Sequence, residues 1–241
     1  MPEVGSVVLP GDVITDLKGS ESSGKTVLGP GLRIDSQNVQ DERNEIVVCK
    51  PGILRHRDPN VYWVDSHQKR YIPTKGDSII GIVTIKSGDN FRVDIGSNEL
   101  ASLSYLAFEG ATKRNRPDVK IGDLVYARIV VANKDMEPEI VCIDSMGRSS
   151  GLGVIREGGF LLHCSLNLVR KILSKECPLL KLLGSTLPYE TAIGMNGRIW
   201  IKGRSTVETI TIINAIEKSE FSSNEQIKAM VRQTMDHLSG F

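Results

Sequence analysis

Short apolar runs separated by turn-forming residues fill the amino-terminal part of the chain. Ser6 to Leu9, Glu45 to Lys50 and Val61 to Val64 are rich in β-branched and aromatic residues, a composition typical of strands. Pro10-Gly11 and Pro51-Gly52 lie beside these runs, where they indicate turns. The pattern predicts a small β-domain over residues 1–69.

A second β-rich block, residues 70–148, twice repeats a Gly-Asp turn followed by an apolar strand. Gly76-Asp77 leads into the first of these strands, and Gly122-Asp123 leads into the other. Three further short segments have strand composition: Asn90 to Ile95, Ala101 to Tyr105, and Glu139 to Ile143. Five strands with a longer connection between the third and fourth predict a five-stranded barrel of the OB type.

The third block, residues 149–241, mixes strands and helices. Gly159 to Cys164 has strand composition, Ser165 is a candidate helix N-cap, and Pro178 begins a second short helix. Two strands follow, and Ser205 precedes a third helix with an acid three residues later. The order β-α-α-β-β-α is that of a type I KH domain, with an extra carboxy-terminal helix. The fold class is therefore mixed β and α+β.

The segment Gly194-Met195-Asn196-Gly197 has the spelling of the Gly-x-x-Gly loop with which KH domains hold a nucleic-acid backbone. That loop normally joins two helices, whereas this one lies between two predicted strands. Asn-Gly between strands predicts a two-residue type I′ turn with positive φ at both positions. We therefore expect Gly194, Asn196 and Gly197 to form a structural turn at a domain interface.

Trp200 follows this turn and alternates with Ile199 and Ile201, so its indole faces the opposite side of the strand. If the isoleucines pack on the KH helices, Trp200 faces another domain or subunit. A buried inter-domain wedge is the preferred interpretation, and base stacking is the alternative.

The net charge of +1 is nearly neutral, so we expect RNA contacts to be local or shared with partners. The basic run from Lys113 through Arg114 to Arg116 lies on the long connection of the predicted barrel. It is either a solvated loop or a contact with RNA or a subunit. Tyr105 is either a stacking partner for it or a barrel core residue. Weaker candidates of the same kind are Lys86, Arg92, Arg198 and Arg204.

The sequence gives little support for a nucleotide site, a metal site, a catalytic site or a membrane segment. Gly19 to Thr26 matches the P-loop pattern, but Val27 to Gly31 cannot continue as the helix that such a loop requires. The four cysteines form no Cys-x-x-Cys pair, which argues against a zinc site. No nucleophile, base and orienting acid come together, so we expect neither enzymatic activity nor a cofactor. The chain has no long apolar run, so no membrane partner is expected.

Several motifs resemble those of the cap subunits of the eukaryotic RNA exosome that carry an S1 and a KH domain. The resemblance covers almost the whole chain. The matching segments are Pro10 to Asp12, Gly29 to Leu32, Arg70 to Pro73, Gly76-Asp77, Ile80-Gly81, Ala101 to Phe108, Lys113 to Pro117, Gly122 to Tyr126, and Gly194 to Ile201.

The resemblance implies three domains, an amino-terminal β-domain, an S1 barrel and a KH domain, and a role in rRNA processing and RNA degradation. It implies a non-catalytic subunit that braces a ring of RNase PH-like proteins together with other cap subunits. Such a subunit helps guide RNA toward 3′→5′ nucleases, in the nucleus, including the nucleolus, and in the cytoplasm. A free-standing S1/KH adaptor that recruits transcripts is the alternative. Near-neutral charge and the absence of Gly-x-x-Gly at the helix junction from Ser174 to Pro178 argue against it.

Overall fold

The computed structural model describes residues 3–14, 26–35, 45–133, 135–155 and 158–239. The chain divides into two compact units, Met1–Gln68 and Lys69–Phe241. Most of the segment from Gly19 to Thr26, whose P-loop pattern the sequence analysis rejects, lies outside the described residues. In the described part of the chain, no helix combines the length and apolarity that a bilayer crossing requires.

Within the described residues, the first unit contains two small sheets. Their strands are β1 (Val7–Val8), β2 (Val13–Ile14), β3 (Val27–Leu28), β4 (Leu32–Asp35), β5 (Glu45–Val48), β6 (Gly52–Arg57) and β7 (Val61–Asp65). One sheet has the order β1-β6-β7-β3 and the other β2-β5-β4. Alternation along the strands places a small apolar core between them, formed by Val8, Ile14, Val48, Leu54 and Val64.

The barrel of the second unit confirms the predicted five-stranded OB-type fold. Its strands are β8 (Ser78–Ser87), β9 (Asn90–Asp94), β10 (Ala101–Ser104), β11 (Leu124–Asn133) and β12 (Met136–Val141). They pair in the order β12-β10-β9-β8-β11, and β12 also pairs with β11, which closes the barrel. A 3-10 turn, Tyr105–Ala107, opens the long connection after β10, and β13 (Gly153–Ile155) extends the sheet beyond β11.

The remaining elements confirm the predicted KH order. They are β14 (Phe160–His163), α1 (Leu166–Leu173), α2 (Leu179–Thr186), β15 (Tyr189–Gly194), β16 (Arg198–Gly203), α3 (Thr206–Lys218) and the additional α4 (Asn224–Ser239). The sheet order is β14-β16-β15. Ser165 caps α1 by accepting from the Leu168 N–H, and Ser205 caps α3 in the same way from the Glu208 N–H. The helices pack on one face of the sheet around Ile199 and Ile201.

Candidate nucleic-acid interface

The turn between β15 and β16 differs from the predicted type I′ geometry. Gly194 pairs with Arg198, which leaves the three loop residues Met195, Asn196 and Gly197. Only Gly197 has positive φ, at +79°, and its N–H donates to the Gly194 carbonyl at 3.2 Å. A single left-handed glycine after two other loop residues is typical of the three-residue hairpin. The type I′ prediction was wrong because contacts outside the hairpin, described next, hold Asn196.

The Asn196 side chain is buried against the barrel. Its Nδ2 donates to the carbonyls of Ile80 (2.8 Å) and Ile95 (2.9 Å), and its Oδ1 accepts from the Ile80 N–H at 3.2 Å. The Met195 N–H donates to the Ser78 carbonyl at 2.8 Å. The amide therefore pairs with β8 much as a neighbouring strand does. These bonds occupy both ends of the Asn196 amide, so it is not available to a nucleic acid.

Arg198 adds a charged connection at the same place. The residue is 7% exposed. Its guanidinium donates to the carbonyls of Ile80 (3.2 Å) and Asp94 (2.6 Å). It also donates to Asp94 Oδ2 at 2.6 Å. The suggestion that Arg198 contacts RNA is therefore wrong: its donors face the barrel, because β16 directs this side chain toward β8 and β9.

The pKa of Asp94 lies below its ordinary value. Partial burial acts to raise the pKa, but the hydrogen bond from the Gly96 N–H, the hydrogen bond and charge of Arg198, and the charge of His163 together outweigh it. The carboxylate is thus stabilised in its charged form at the junction between the barrel and the KH domain.

Close packing seals the turn. A Cβ on Gly194 would lie 2.7 Å from the Ile80 nitrogen, and one on Gly197 would lie 2.6 Å from the Cys164 carbonyl oxygen. Met195 packs against the barrel core and the KH core alike. We name this arrangement of Met195, Asn196, Arg198, Ile80 and Asp94 the barrel–KH joint. It makes the two domains parts of one packed body.

Trp200 lies on the face of the KH sheet opposite Ile199 and Ile201, as the alternation predicts, and is 8% exposed. Its Nε1 donates to the Gly158 carbonyl at 3.1 Å. A Cβ on Gly159 would lie 2.7 Å from the indole, so glycine is required for this approach. These contacts lie within the KH block. The role of an inter-domain wedge stays a prediction.

The basic run on the barrel connection has a different environment. Lys113 and Arg114 are exposed, and neither forms a hydrogen bond or ion pair within the described residues. Arg116 is held: its guanidinium carbon lies 4.7 Å from the centre of the Tyr105 ring, and Nη2 donates to Asp89 Oδ1 at 3.0 Å. The run is thus anchored at Arg116 and leaves two cations facing solvent.

The other predicted RNA-contact residues are partly engaged by the protein. Tyr105 is 5% exposed and belongs to the barrel core, so little of its surface is left for a ligand. Lys86 Nζ donates to the Val119 carbonyl at 3.4 Å and lies 5.6 Å from the Phe91 ring centre. Arg92 forms an ion pair with Glu137.

Three of these six residues, Tyr105, Arg116 and Lys86, come together at one end of the barrel, and Lys113 and Arg114 precede Arg116 in the chain. The Tyr105 N–H and the Arg116 side chain both donate to Asp89, in the turn between β8 and β9, while Lys86 lies at the end of β8. Arg92 lies further along β9 and is committed to its carboxylate partner. Their contact with RNA stays a prediction.

Sequence reasoning placed Asn196 at a domain interface without identifying its partners, and it missed that Arg198 also binds the barrel. The partners, Ile80, Asp94 and Ile95, are about a hundred positions earlier in the chain, so no local pattern identifies them. One available signal was Arg198 itself, a charged residue between Gly197 and the apolar run from Ile199 to Ile201. A charge within a buried strand requires a partner.

Three family models match most of the chain, from residue 6 to residue 207. The model described as "Exosome complex component RRP40, S1 domain" matches residues 71–153, "KH domain" matches 159–207, and "Mammalian exosome complex component RRP40, N-terminal" matches 6–67.

Whole-chain relatives agree with these models. The chain is 46% identical to "Exosome complex component RRP40" of Homo sapiens, an alignment covering 93% of this chain and 88% of that protein. It is 47% identical to the protein of the same description from Drosophila melanogaster, over 99% of both chains. A crystal structure at 22% identity has a TM-score of 0.58 and covers 70% of this chain and 98% of its own, which shows a shared fold. The chain belongs to the family of the exosome complex component RRP40.

Proposed function

We propose that this chain is a non-catalytic cap subunit of the RNA exosome that braces an RNase PH-like ring and helps guide RNA toward 3′→5′ degradation and processing. Family membership supports its place among exosome components. The observation that carries the proposal is the burial of Asn196 in the barrel–KH joint. The glycine-rich motif contributes to architecture, which suits a bracing subunit better than an independent RNA binder.

The joint has a mechanical consequence for RNA guidance. Hydrogen bonds from Met195, Asn196 and Arg198 connect the KH sheet to β8 and β9 at several points. Rigid placement lowers the entropy lost when a partner or RNA binds. The basic run therefore keeps a fixed orientation relative to the KH domain when the subunit is held in a complex.

Lys113 and Arg114 are the residues best suited to meet RNA phosphates. Both are exposed, neither has a carboxylate partner in the described part of the chain, and the anchored Arg116 fixes the loop beside them. Two phosphate contacts give only weak binding, and the net charge of +1 means that the rest of the chain adds little electrostatic attraction for RNA. RNA binding of useful strength then requires other subunits.

The test compares RNA affinity of the reconstituted complex carrying Lys113→Gln and Arg114→Gln with the wild-type complex. Loss of two phosphate contacts should lower the magnitude of the salt slope of binding by about 2. A matched control is the pair Lys181→Gln and Lys228→Gln, two exposed cations on α2 and α4. An unchanged slope in the first variant would remove these residues from the RNA path.

The isolated chain separates this role from that of a free-standing adaptor. A cap subunit should bind single-stranded RNA weakly at physiological salt and gain affinity on assembly with its ring. Tight sequence-independent binding by the chain alone would instead favour the adaptor role.

Contacts with ring and cap subunits, and a distribution between nucleus, nucleolus and cytoplasm, belong to the same proposal. Crosslinking of the assembled complex, read by mass spectrometry, would identify the neighbouring subunits. Fluorescence microscopy of the tagged chain tests the distribution, and exclusion from the nucleus would contradict it.

A further inference from the structure

A cleft outside the barrel–KH joint lies between the start of β14 and the amino-terminal half of α3. Its volume is about 550 Å³. Phe160 and Ile210 form its walls, Ile213 lies at its base, and Arg204 and Thr206 line its rim. We name it the β14–α3 cleft.

The apolar walls of this cleft are unusually accessible. Phe160 is 53% exposed and Ile210 is 52% exposed, while Ile213 beneath them is 8% exposed. Phe160 pairs with Ile201 across the strands, so its ring lies on the helical side of the sheet, at the sheet's margin. Neighbouring exposed apolar side chains over a cavity are typical of a protein-binding site.

The strand that borders the cleft is also an open edge. β14 is the terminal strand of its sheet, and within the described residues it pairs only with β16. A terminal strand presents backbone N–H and C=O groups that an added extended peptide can pair with. An apolar cleft beside such an edge provides a place for one of that peptide's side chains.

Side chains of opposite charge line the clefts at the two ends of α3. Lys202 and Arg204 line the β14–α3 cleft and acids line a second cleft near the other end, while Glu208 in the first turn and Lys218 in the last turn line neither. Arg204 lies before the helix and its exposed side chain has no ion pair in the described part of the chain. Near the other end, Glu217 and Glu220 line a second cleft of about 440 Å³ with His163. Glu220 accepts from the Ser165 hydroxyl at 2.6 Å.

The spacing of these charges sets the length of an occupant. Thr206 and Glu217 are separated by about 16 Å along the helix at 1.5 Å per residue. An extended peptide covers that distance with about five residues. A nucleic acid is less suitable, because Glu217 and Glu220 would repel its phosphates at one end.

We infer that the outer edge of β14 and the β14–α3 cleft together bind an extended peptide segment of a partner protein. The segment places an apolar side chain between Phe160 and Ile210, an acidic residue near Arg204 and a basic residue near Glu217. The inference rests on the proposed function, since the partner is sought among the proteins of the assembled complex.

A photo-crosslinking residue, p-benzoylphenylalanine, placed at Thr206 in the reconstituted exosome tests this inference. We expect one partner polypeptide to be joined at a segment that has an apolar residue flanked by an acid and a base. Ile210→Glu should reduce the adduct at least tenfold. Val207→Glu is the matched control: it is 63% exposed on the same helix but does not line the cleft, and it should leave the adduct unchanged.

The outcomes distinguish this inference from the proposed function. If the chain assembles but the Thr206 probe joins RNA, a second copy of this chain, residues 1–68 of the chain itself or no polypeptide, the docking inference is overturned and the cap role stands. An adduct that Ile210→Glu does not diminish also overturns it. If native mass spectrometry shows that the wild-type chain does not assemble, both are overturned.

Discussion

Two polar segments of the second unit contrast sharply: the turn from Gly194 to Gly197 and the basic run from Lys113 to Arg116. The turn has the spelling of an RNA clamp, yet Asn196 is 8% exposed and makes three hydrogen bonds to the barrel. The run matches no RNA-binding motif, yet Lys113 and Arg114 face solvent. Motif spelling identifies ancestry, whereas accessibility decides which groups can meet a ligand.

The contrast also separates stability from binding. Changes in or beside the turn should destabilise the folded chain, because they leave cavities, clashes or unpaired buried groups. Changes in the run should alter RNA affinity and hardly affect unfolding. The following variants test this separation.

Trp200→Ala should have the largest effect on stability, about 3–5 kcal/mol, because a large buried side chain is removed. Chemical denaturation of the isolated chain measures it. Trp200→Phe keeps a six-membered aromatic ring and loses the rest of the indole with its bond to the Gly158 carbonyl, so it should be milder. An unchanged unfolding free energy in Trp200→Ala would show that the indole does not pack as described.

Gly197→Val should cost about 3 kcal/mol, since it combines strain at φ +79° with a Cβ 2.6 Å from the Cys164 carbonyl oxygen. Gly110→Val is the matched control. Gly110 also has positive φ, +68°, but no atom lies within 4 Å of its added Cβ, so only the strain remains. Equal losses in thermal unfolding for the two variants would argue against close packing at the turn.

Asn196→Ala should cost about 2 kcal/mol, because the N–H and carbonyl of Ile80 and the carbonyl of Ile95 lose their partner in a buried place. Asn115→Ala, in the exposed run, should change the unfolding free energy by less than about 0.5 kcal/mol. Denaturant titrations measure the unfolding free energy of both variants. Similar losses in the two variants would show that the turn is no more important for stability than the exposed run.

The smallest expected effect is a pH dependence at Asp94. Its pKa is lowered in the folded state, so its stabilising contribution is complete above the ordinary value near pH 4 and is lost as pH falls through the folded value. The difference in unfolding free energy between wild type and Asp94→Asn should shrink as the pH falls below about pH 4. A difference that persists undiminished at pH 3 would contradict the assigned partners.

Local chemistry was sufficient to predict much of this fold. Gly-Asp turns and β-branched runs predicted the barrel strands, and Ser165 and Ser205 predicted helix starts that the structure confirms. The predicted turn type was wrong because the Asn196 side chain donates hydrogen bonds to the carbonyls of Ile80 and Ile95. These residues are distant in sequence and come close to Asn196 only when the chain folds.

The site was less predictable than the fold for the same reason. Exposure of Lys113 and Arg114 agrees with their loop position, but Arg92 on β9 is paired with Glu137 two strands away on β12, and Tyr105 is buried in the core. Such pairings depend on the order of the strands in the folded sheet. The amino-acid sequence shows which residue types are present, but it does not show which residues they will contact in the folded protein.

The central claim is that the Gly194 to Gly197 turn joins domains while the Lys113 to Arg116 run meets RNA. Photo-crosslinking of RNA to the assembled exosome, with adducts mapped by mass spectrometry, tests it most directly. We predict adducts within residues 113–116 and none within residues 194–197. Adducts within 194–197, with none in the basic run, would contradict the account.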